Sequence, residues 1–373
     1  MSGSRITFLQ GQAGQGAALE RITARVRRTL AEPGMARLRT ARRPLFTGIG
    51  ASYAALALPV QQLRRHGVFA QRVLASEIGD GPRGFDTDAL IAISQGGRSS
   101  ETLAAFRSAP DETKTAVVNA ASSPLGRLAD RVVHLGGEPD SLASTVGYTG
   151  TLVALDLITG ALTGRPRHED GWAHIAARTD AVRRHAAAVV TGLRRRAAQC
   201  IAADVVAAGT SRASAEEGAL LLREVARMAA TAAATRNYLH GSMESAGNTL
   251  HVIIGAGREI PLARSLAAAG HCTLLITTAR VEPAEHLFTV RLPGAAEAPR
   301  VVLEAVVLQE LAAQLGAERG IPVGSSVFRH TDTKEDTPPA AAHESLADQA
   351  SLVSRASSAG SAVPIGSRIT SAA

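Results

Sequence analysis

The chain has 373 residues, of which 45% are hydrophobic, 20% charged and only 3% aromatic, with two cysteines and a net charge of +7. That length exceeds one compact core and suits two domains of ordinary size, and the balance of residues excludes a disordered or fibrous chain. Cys200 and Cys272, far apart and each in apolar sequence, exclude a disulfide framework or a metal site of ordinary ligand spacing.

Residues 12 to 40 show helical spacing, with Leu19, Ile22, Val26 and Leu30 on one side and a break at Pro33-Gly34, which predicts one or two leading helices. From Arg43 the texture alternates. Strands are expected at Pro44 to Ile49, Phe69 to Ala75, Ala89 to Ser94, Thr115 to Asn119 and Arg131 to Leu135. Helices are expected at Tyr53 to His66, Glu101 to Ser108, Pro124 to Ala129 and Thr149 to Leu162. Strands separated by helical patterns of this length are βαβ units, so the fold class is α/β, a parallel sheet covered by helices on both faces. Trp172 to Ala198 reads as a long bridging helix, after which the plan restarts. The second half carries strands at Ala203 to Ala208, Leu250 to Ile254, Thr273 to Thr277 and Phe288 to Leu292. Its helices are expected at Glu216 to Ala230, Ile260 to Ala269 and Arg300 to Leu315. Gly50-Ala51-Ser52 after the first strand is echoed by Gly209-Thr210-Ser211, which points to duplication of one unit. The resulting division is 1–42 helical segment, 43–165 first domain, 166–198 linking helix, 199–330 second domain and 331–373 tail, the residues past Asp336 being too polar and small to order.

No run of about twenty apolar residues is present, and no charged-then-apolar leader opens the chain, so neither a membrane partner nor export is expected and the cytoplasm is the default. The positive charge is almost all arginine, lysine occurring only at Lys114 and Lys334. It is spread along helical segments such as Arg21, Arg25, Arg27, Arg28 and Arg194 to Arg196 without aromatic platforms, which reads as solvated helix faces and argues against a nucleic-acid partner.

The most informative run is Leu90 to Thr102, a short apolar strand that empties into Ser94-Gln95-Gly96-Gly97-Arg98-Ser99-Ser100 and opens a helix. Amides at a helix N-terminus are unsatisfied and partly positive, glycine permits close approach, and Ser94, Gln95 and Ser99 add donors, so this turn suits a phosphate. An ordinary serine-capped turn would need only one of these side chains. In parallel sheets ligands sit at the carboxyl ends of strands, where Gly50, Ala51 and Ser52 also fall. Ala143-Ser144-Thr145, shortly before a helix, offers a third hydroxyl-bearing turn.

These motifs resemble the double sugar-isomerase (SIS) family, namely the isomerase half of glucosamine-6-phosphate synthase and the stand-alone aminosugar-phosphate deaminases and isomerases. Gly50-Ala51-Ser52-Tyr53 matches the family's Gly-Thr-Ser turn, Ser94 to Ser99 its Ser-Gln-Ser-Gly-Glu-Thr, and Ala143-Ser144-Thr145 its Ala-Ser-Thr. Glu217-Gly218-Ala219-Leu220 through Arg223-Glu224 is similar to its Glu-Gly-Ala-Leu-Lys-Leu-Lys-Glu helix, and His240-Gly241 to its Lys-His-Gly-Pro. The resemblance implies two tandem SIS domains, each a parallel sheet flanked by helices, without metal or organic cofactor. It implies an enzyme that acts on an aminosugar 6-phosphate, with Glu224 shuttling the proton between C1 and C2 and His240 opening the ring. In such relatives the histidine comes from the neighbouring subunit, so a homodimer is implied. Lys334 matches the family's imine-forming lysine only late and out of register. Other departures are Gly96 for a serine, Arg98 for an acid, Val146 after the Ser-Thr turn and Leu221 for the first lysine of the helix motif. Arg98 offers a guanidinium fork in exchange. No glutaminase segment leads the first half, so ammonia from glutamine within this chain is not expected. A phosphosugar sensor without chemistry and a deglycase that cleaves amino acids from sugar phosphates are the alternatives.

Overall fold

The computed structural model describes residues 6–78, 82–165, 171–324, 326–328 and 332–335. It divides into a compact unit, Met1–Arg329, and a second unit, His330–Ala373, of which only 332–335 are described. The tail expected to lack order otherwise lies outside the described residues.

The first half runs α1 (Phe8–Ala31), α2 (Ala36–Arg39), β1 (Pro44–Gly48), α3 (Ala51–Ala55), α4 (Ala57–Arg65), β2 (Gln71–Leu74) and β3 (Ala89–Ile93). It continues through α5 (Ser100–Arg107), β4 (Lys114–Val118), α6 (Pro124–Leu128), β5 (Arg131–His134) and α7 (Val146–Thr163). The second comprises α8 (Ile175–Ala198), β6 (Ala202–Ala207), α9 (Arg212–Glu224), β7 (Ala229–Ala234), α10 (Thr235–Tyr238) and β8 (Thr249–Ile254). It closes with α11 (Glu259–Ala268), β9 (Thr273–Thr277), β10 (Leu287–Arg291) and α12 (Glu297–Glu318). All strand pairs within the two five-stranded sheets are parallel. The orders are β2-β1-β3-β4-β5 and β7-β6-β8-β9-β10, one topology used twice.

Local chemistry explains the boundaries. Thr7 and Gln10 form a reciprocal capping box that starts α1, and Gly164 in the left-handed conformation ends α7. The central strands β1, β3 and β4 are buried along their whole length, as parallel strands covered on both faces must be. The helix expected from Tyr53 to His66 is broken at Leu56 into α3 and α4, because Pro59 has no N–H to give the carbonyl of Ala55.

The larger departure is the alanine-rich stretch expected to continue the helix to Ala230. The helix stops at Glu224, Arg227 takes a left-handed φ of 47°, and Ala229–Ala234 pairs residue for residue with β6 as an edge strand. Alanine favours helix intrinsically, but six residues of ladder against β6 override a preference worth only a few tenths of a kcal/mol per residue.

Two helices, α1 and α12, pack across the halves. α1 lies against both α7 and α8, and α12 against α7, α8 and α9. Their shared core carries a buried amide network: Gln15 Nε2 donates to Gln309 Oε1 at 3.0 Å and Thr149 Oγ1 donates to Gln15 Oε1 at 2.8 Å. Beyond the end of α7 and before the start of α8, Arg165 and Trp172 both reach the fully buried Asp156, which accepts from Gln62 Nε2, Arg165 Nη2 and Trp172 Nε1 at 3.0, 2.9 and 2.8 Å. A Cβ at Gly16 on α1 would lie 2.9 Å from the carbonyl oxygen of Ala176 on α8. Gly16→Val is therefore expected to wedge the two helices apart and destabilise the protein by about 1–3 kcal/mol, read as a lower denaturation midpoint at unchanged slope.

Candidate functional site

In a sheet of order 2-1-3-4-5 the direction of winding reverses between β1 and β3, and the crevice at their carboxyl ends is where such folds hold ligands. The tips of these two strands touch. A Cβ at Gly48 would meet Ser52 Cβ at 3.0 Å and the carbonyl oxygen of Ile93 at 3.1 Å. Gly50, at φ 58°, makes the turn into α3 and is exposed, while Ala51 and Ser52 are half-buried.

The Ser94 turn is fixed through its backbone. Ser94 N–H donates to Val117 O at 3.1 Å, Asn119 N–H to Gln95 O at 3.0 Å and Leu125 N–H to Gly97 O at 3.0 Å. Gly97 must be glycine, since its φ is 61° and a Cβ would fall 2.2 Å from Ser123 Oγ. Ser94 is buried, Gln95 and Ser99 are half-buried, and Gly96 and Arg98 are exposed. Ser99 stands at the N-cap of α5 without capping it; its hydroxyl donates instead to Glu101 Oε2 at 2.9 Å.

The third turn is organised by a residue the sequence reading passed over. Asp140 is buried, and its carboxylate accepts from Ser144 Oγ at 2.7 Å, Thr145 N at 2.9 Å and Thr145 Oγ1 at 3.0 Å. Ala143 and Thr145 are buried and Ser144 is half-buried. A Cβ at Gly147 would meet Asp140 Oδ2 at 2.3 Å, Gln95 Cγ at 2.7 Å and Ser144 Oγ at 2.8 Å. The Gln95 and Ser144 turns therefore converge on one point, and only a glycine fits between them.

Helix α9 brings the second half to this edge. Arg72 of β2 grips Glu216 through two bonds of 2.6 and 2.7 Å and lies 4.7 Å over the Tyr53 ring. Tyr148 of α7 donates its hydroxyl to Ala213 O at 2.9 Å. Leu220 Cδ2 stands 4.0 Å from where a Cβ of Gly50 would be. The helix so held carries Glu217 and Glu224. Glu217 is fully buried, and burial, with Glu224 and Asp140 adding repulsion, pushes its carboxyl well above the usual carboxylate range. Glu224, the last residue of α9, is exposed, yet the protein atoms around it still displace enough water to push its carboxyl up.

The structure thus joins the turns of Ser52, Ser94-Gln95 and Ser144-Thr145 to the helix that carries Glu224. His240 is exposed on the turn after α10, where its N–H donates to Asn237 O at 3.0 Å, and no described contact joins it to these turns. Lys334 is exposed in the second unit. Among the described residues no group of three or more His, Cys, Asp or Glu could hold a metal ion. Asp140 and Glu217 were missed because each owes its importance to partners distant in sequence; the Glu217 to Glu224 spacing of two helical turns was the one available signal.

Residues 37–161 match the SIS domain family. The chain is 25% identical over 308 residues to a probable glutamine–fructose-6-phosphate aminotransferase [isomerizing] of Schizosaccharomyces pombe, covering 76% of this chain and 43% of that protein. It is 30% identical over 245 residues to the glutamine–fructose-6-phosphate aminotransferase [isomerizing] of Bradyrhizobium diazoefficiens, covering 60% of this chain and 40% of that one. The chain therefore spans about two fifths of the length of these curated relatives. Among solved structures, the C-terminal domain of glucosamine-fructose-6-phosphate aminotransferase from Francisella tularensis superimposes with a TM-score of 0.70 at 18% identity, over 86% of this chain and 98% of that one. The molecule is an α/β protein of SIS-like fold, similar to the isomerase part of those aminotransferases.

Asp140→Ala removes the acceptor for a buried amide and two hydroxyls. It is expected to cost about 1–3 kcal/mol of stability and to accelerate hydrogen exchange at the Thr145 amide, with little change at amides of the second sheet.

Proposed function

We propose that the chain is a double-SIS enzyme that binds an aminosugar 6-phosphate at the carboxyl edge of the first sheet and moves its carbonyl between C1 and C2, as an isomerase or deaminase. The observation that carries this reading is the meeting of the Gln95 and Ser144 turns around Gly147, with α9 braced against the same edge. Amides and hydroxyls of Gly50, Ala51, Ser52, Ser94, Gln95, Gly96 and Ser99 receive the phosphate, and the Ala143-Ser144-Thr145 turn the sugar. The repeated strand order supports the duplication, each half being one unit of the same topology.

In this reading Glu224 is the base. A carboxyl raised by its surroundings is a better proton acceptor than an ordinary solvated glutamate, and a rigid helix end fixes its reach. His240 opens the ring of the substrate held by the neighbouring subunit of a homodimer; its exposure on a turn suits a residue offered outward. Lys334 takes no step. Without an imine to a lysine, the substrate carbonyl is activated by hydrogen bonds alone, and no metal or organic cofactor is required. The second reading, a phosphosugar sensor, is favoured by Leu221 in place of a cation on α9 and by Ser99 spending its hydroxyl on Glu101.

The decisive comparison is Glu224→Gln against the unaltered protein, assayed for ketose formation and ammonia release across hexosamine 6-phosphates and for binding by calorimetry. Loss of turnover by about 100-fold or more with affinity retained is expected. Binding without turnover in the unaltered protein establishes the sensor.

A further inference from the structure

Glu217 lies seven residues before Glu224 on α9 and so on the same face of that helix. It is 1% exposed, and its Oε2 has no hydrogen-bond partner among the described residues. A buried carboxylate is tolerated only with a cation or several donors around it. The charged groups on the elements packed against α9 are committed elsewhere. Arg72 and Arg212 bind Glu216, Arg300 of α12 binds Glu304, and Arg64 and Arg65 of α4 bind Ala70 O and Glu297. Tyr53 of α3 lies under Arg72, Asp204 of β6 accepts from Tyr238, and β7 carries no titratable side chain. What faces Glu217 electrostatically is acidic: Glu224 on its own helix and Asp140 beside Ser144, while Tyr148 of α7 is bound to Ala213 O. One turn along, where a lysine would have supplied a counter-charge, stands the fully buried Leu221.

We propose that Glu217 is a second catalytic residue, a neutral carboxylic acid that gives its proton to the carbonyl oxygen of the open-chain phosphosugar while Glu224 removes the proton from the adjacent carbon. This rests on the function proposed above. In the first step Glu224 takes the proton from C2, the C2 electron pair forms the C1–C2 double bond, and the C1 oxygen takes the proton from Glu217, leaving an enolamine that keeps the amino group on C2. In the second step Glu224 returns its proton to C1, the nitrogen lone pair closes the C2–N double bond and Glu217 takes the proton the nitrogen gives up, leaving the C2 imine and both side chains as they began; water then adds to C2 and ammonia departs, which gives the ketose. One acid and one base sit on one helix face, distinguished by burial: the buried carboxyl keeps its proton where the exposed one gives it up.

Two measurements on Glu217→Gln test this in the full chain. Glutamine keeps the shape and neutrality of the buried acid but cannot deliver a proton, so kcat for ketose formation is expected to fall about 100-fold or more with KM little changed. A kcat within about threefold of the unaltered protein overturns the donor role. Independently of any substrate, the melting temperature of Glu217→Gln is compared with that of the unaltered protein from pH 4 to 8. An acid whose proton is held in the fold is released first in the unfolded chain, so its stabilising contribution is complete below the ordinary carboxylate range and is lost as pH rises. The variant should therefore gain on the unaltered protein as pH rises above about 4.3. A difference that stays flat over that range overturns the neutral state. Should the unaltered protein turn over no phosphosugar, the proposed function fails and takes the donor role with it, while the melting series still decides the protonation of Glu217.

Discussion

The arrangement depends on one buried carboxylate. Asp140 accepts from the amide and hydroxyl of Thr145 and from the hydroxyl of Ser144, so the turn that opens α7 is wound around a fixed negative charge. Such a charge inside the protein is tolerable only because it is surrounded by donors, and each donor is in turn held in place by it. The consequence spreads beyond the turn. The carbonyl of Thr145 accepts from Gln309 Nε2 of α12 at 3.4 Å, and Gln309 shares Gln15 with Thr149. The candidate site of the first half is thereby tied, through buried amides, to a helix of the second.

The same logic holds α9. A helix from the second half that must present side chains to a crevice in the first cannot rely on apolar contact alone, which is indifferent to small rotations. Arg72 and Glu216 supply direction: their forked pair is largely screened from solvent, with side-chain exposures of 15% and 18%, and it admits one geometry. Tyr148 fixes the start of the helix, and Gly218 lets Leu308 of α12 come within 2.9 Å of where a Cβ would stand. Rotation about the axis of α9 is blocked from three sides, so the bearings of Glu217 and Glu224 are set by residues that do no chemistry.

Much of this was legible in the chain itself, for identifiable reasons. Central parallel strands are buried on both faces, so β3 and β9 appear as short apolar runs bounded by turn residues, and the expected spans agree with the observed ones to within a residue. β7 was not legible: an alanine-rich edge strand has no apolar signature, and its conformation comes from pairing with β6. The strand-end turns were legible because hydroxyls and glycines cluster there. Asp140 was not, since its meaning lies in three bonds that exist only once the chain has turned back on itself. Glu217 carries a motif position but no sign of burial, which depends on elements distant in sequence, α3 and α12 among them, packing against α9.

The two sheets share one topology, but the crevices at their strand ends differ in what fills them. In the second sheet the equivalent crevice lies at the carboxyl ends of β6 and β8, where Gly255, at φ 151°, leads toward α11. There the first residue of the helix turns its own carboxylate inward. Glu259 is buried and accepts from Thr235 Oγ1 at 2.6 Å and from the Gly257 amide at 3.2 Å, and a Cβ on Gly255 would fall 2.6 Å from its Oε2. An internal anion thus occupies the place that an external one would need. The same bond anchors Thr235, the first residue of α10, while the last, Tyr238, is held by Asp204 and lies 3.0 Å from His251 Nδ1. With both ends of this short helix fixed in the core, the turn bearing His240 is projected outward from a rigid base. The first half leaves hydroxyl-bearing turns at its strand ends, and the second has turned the same topology into a mount.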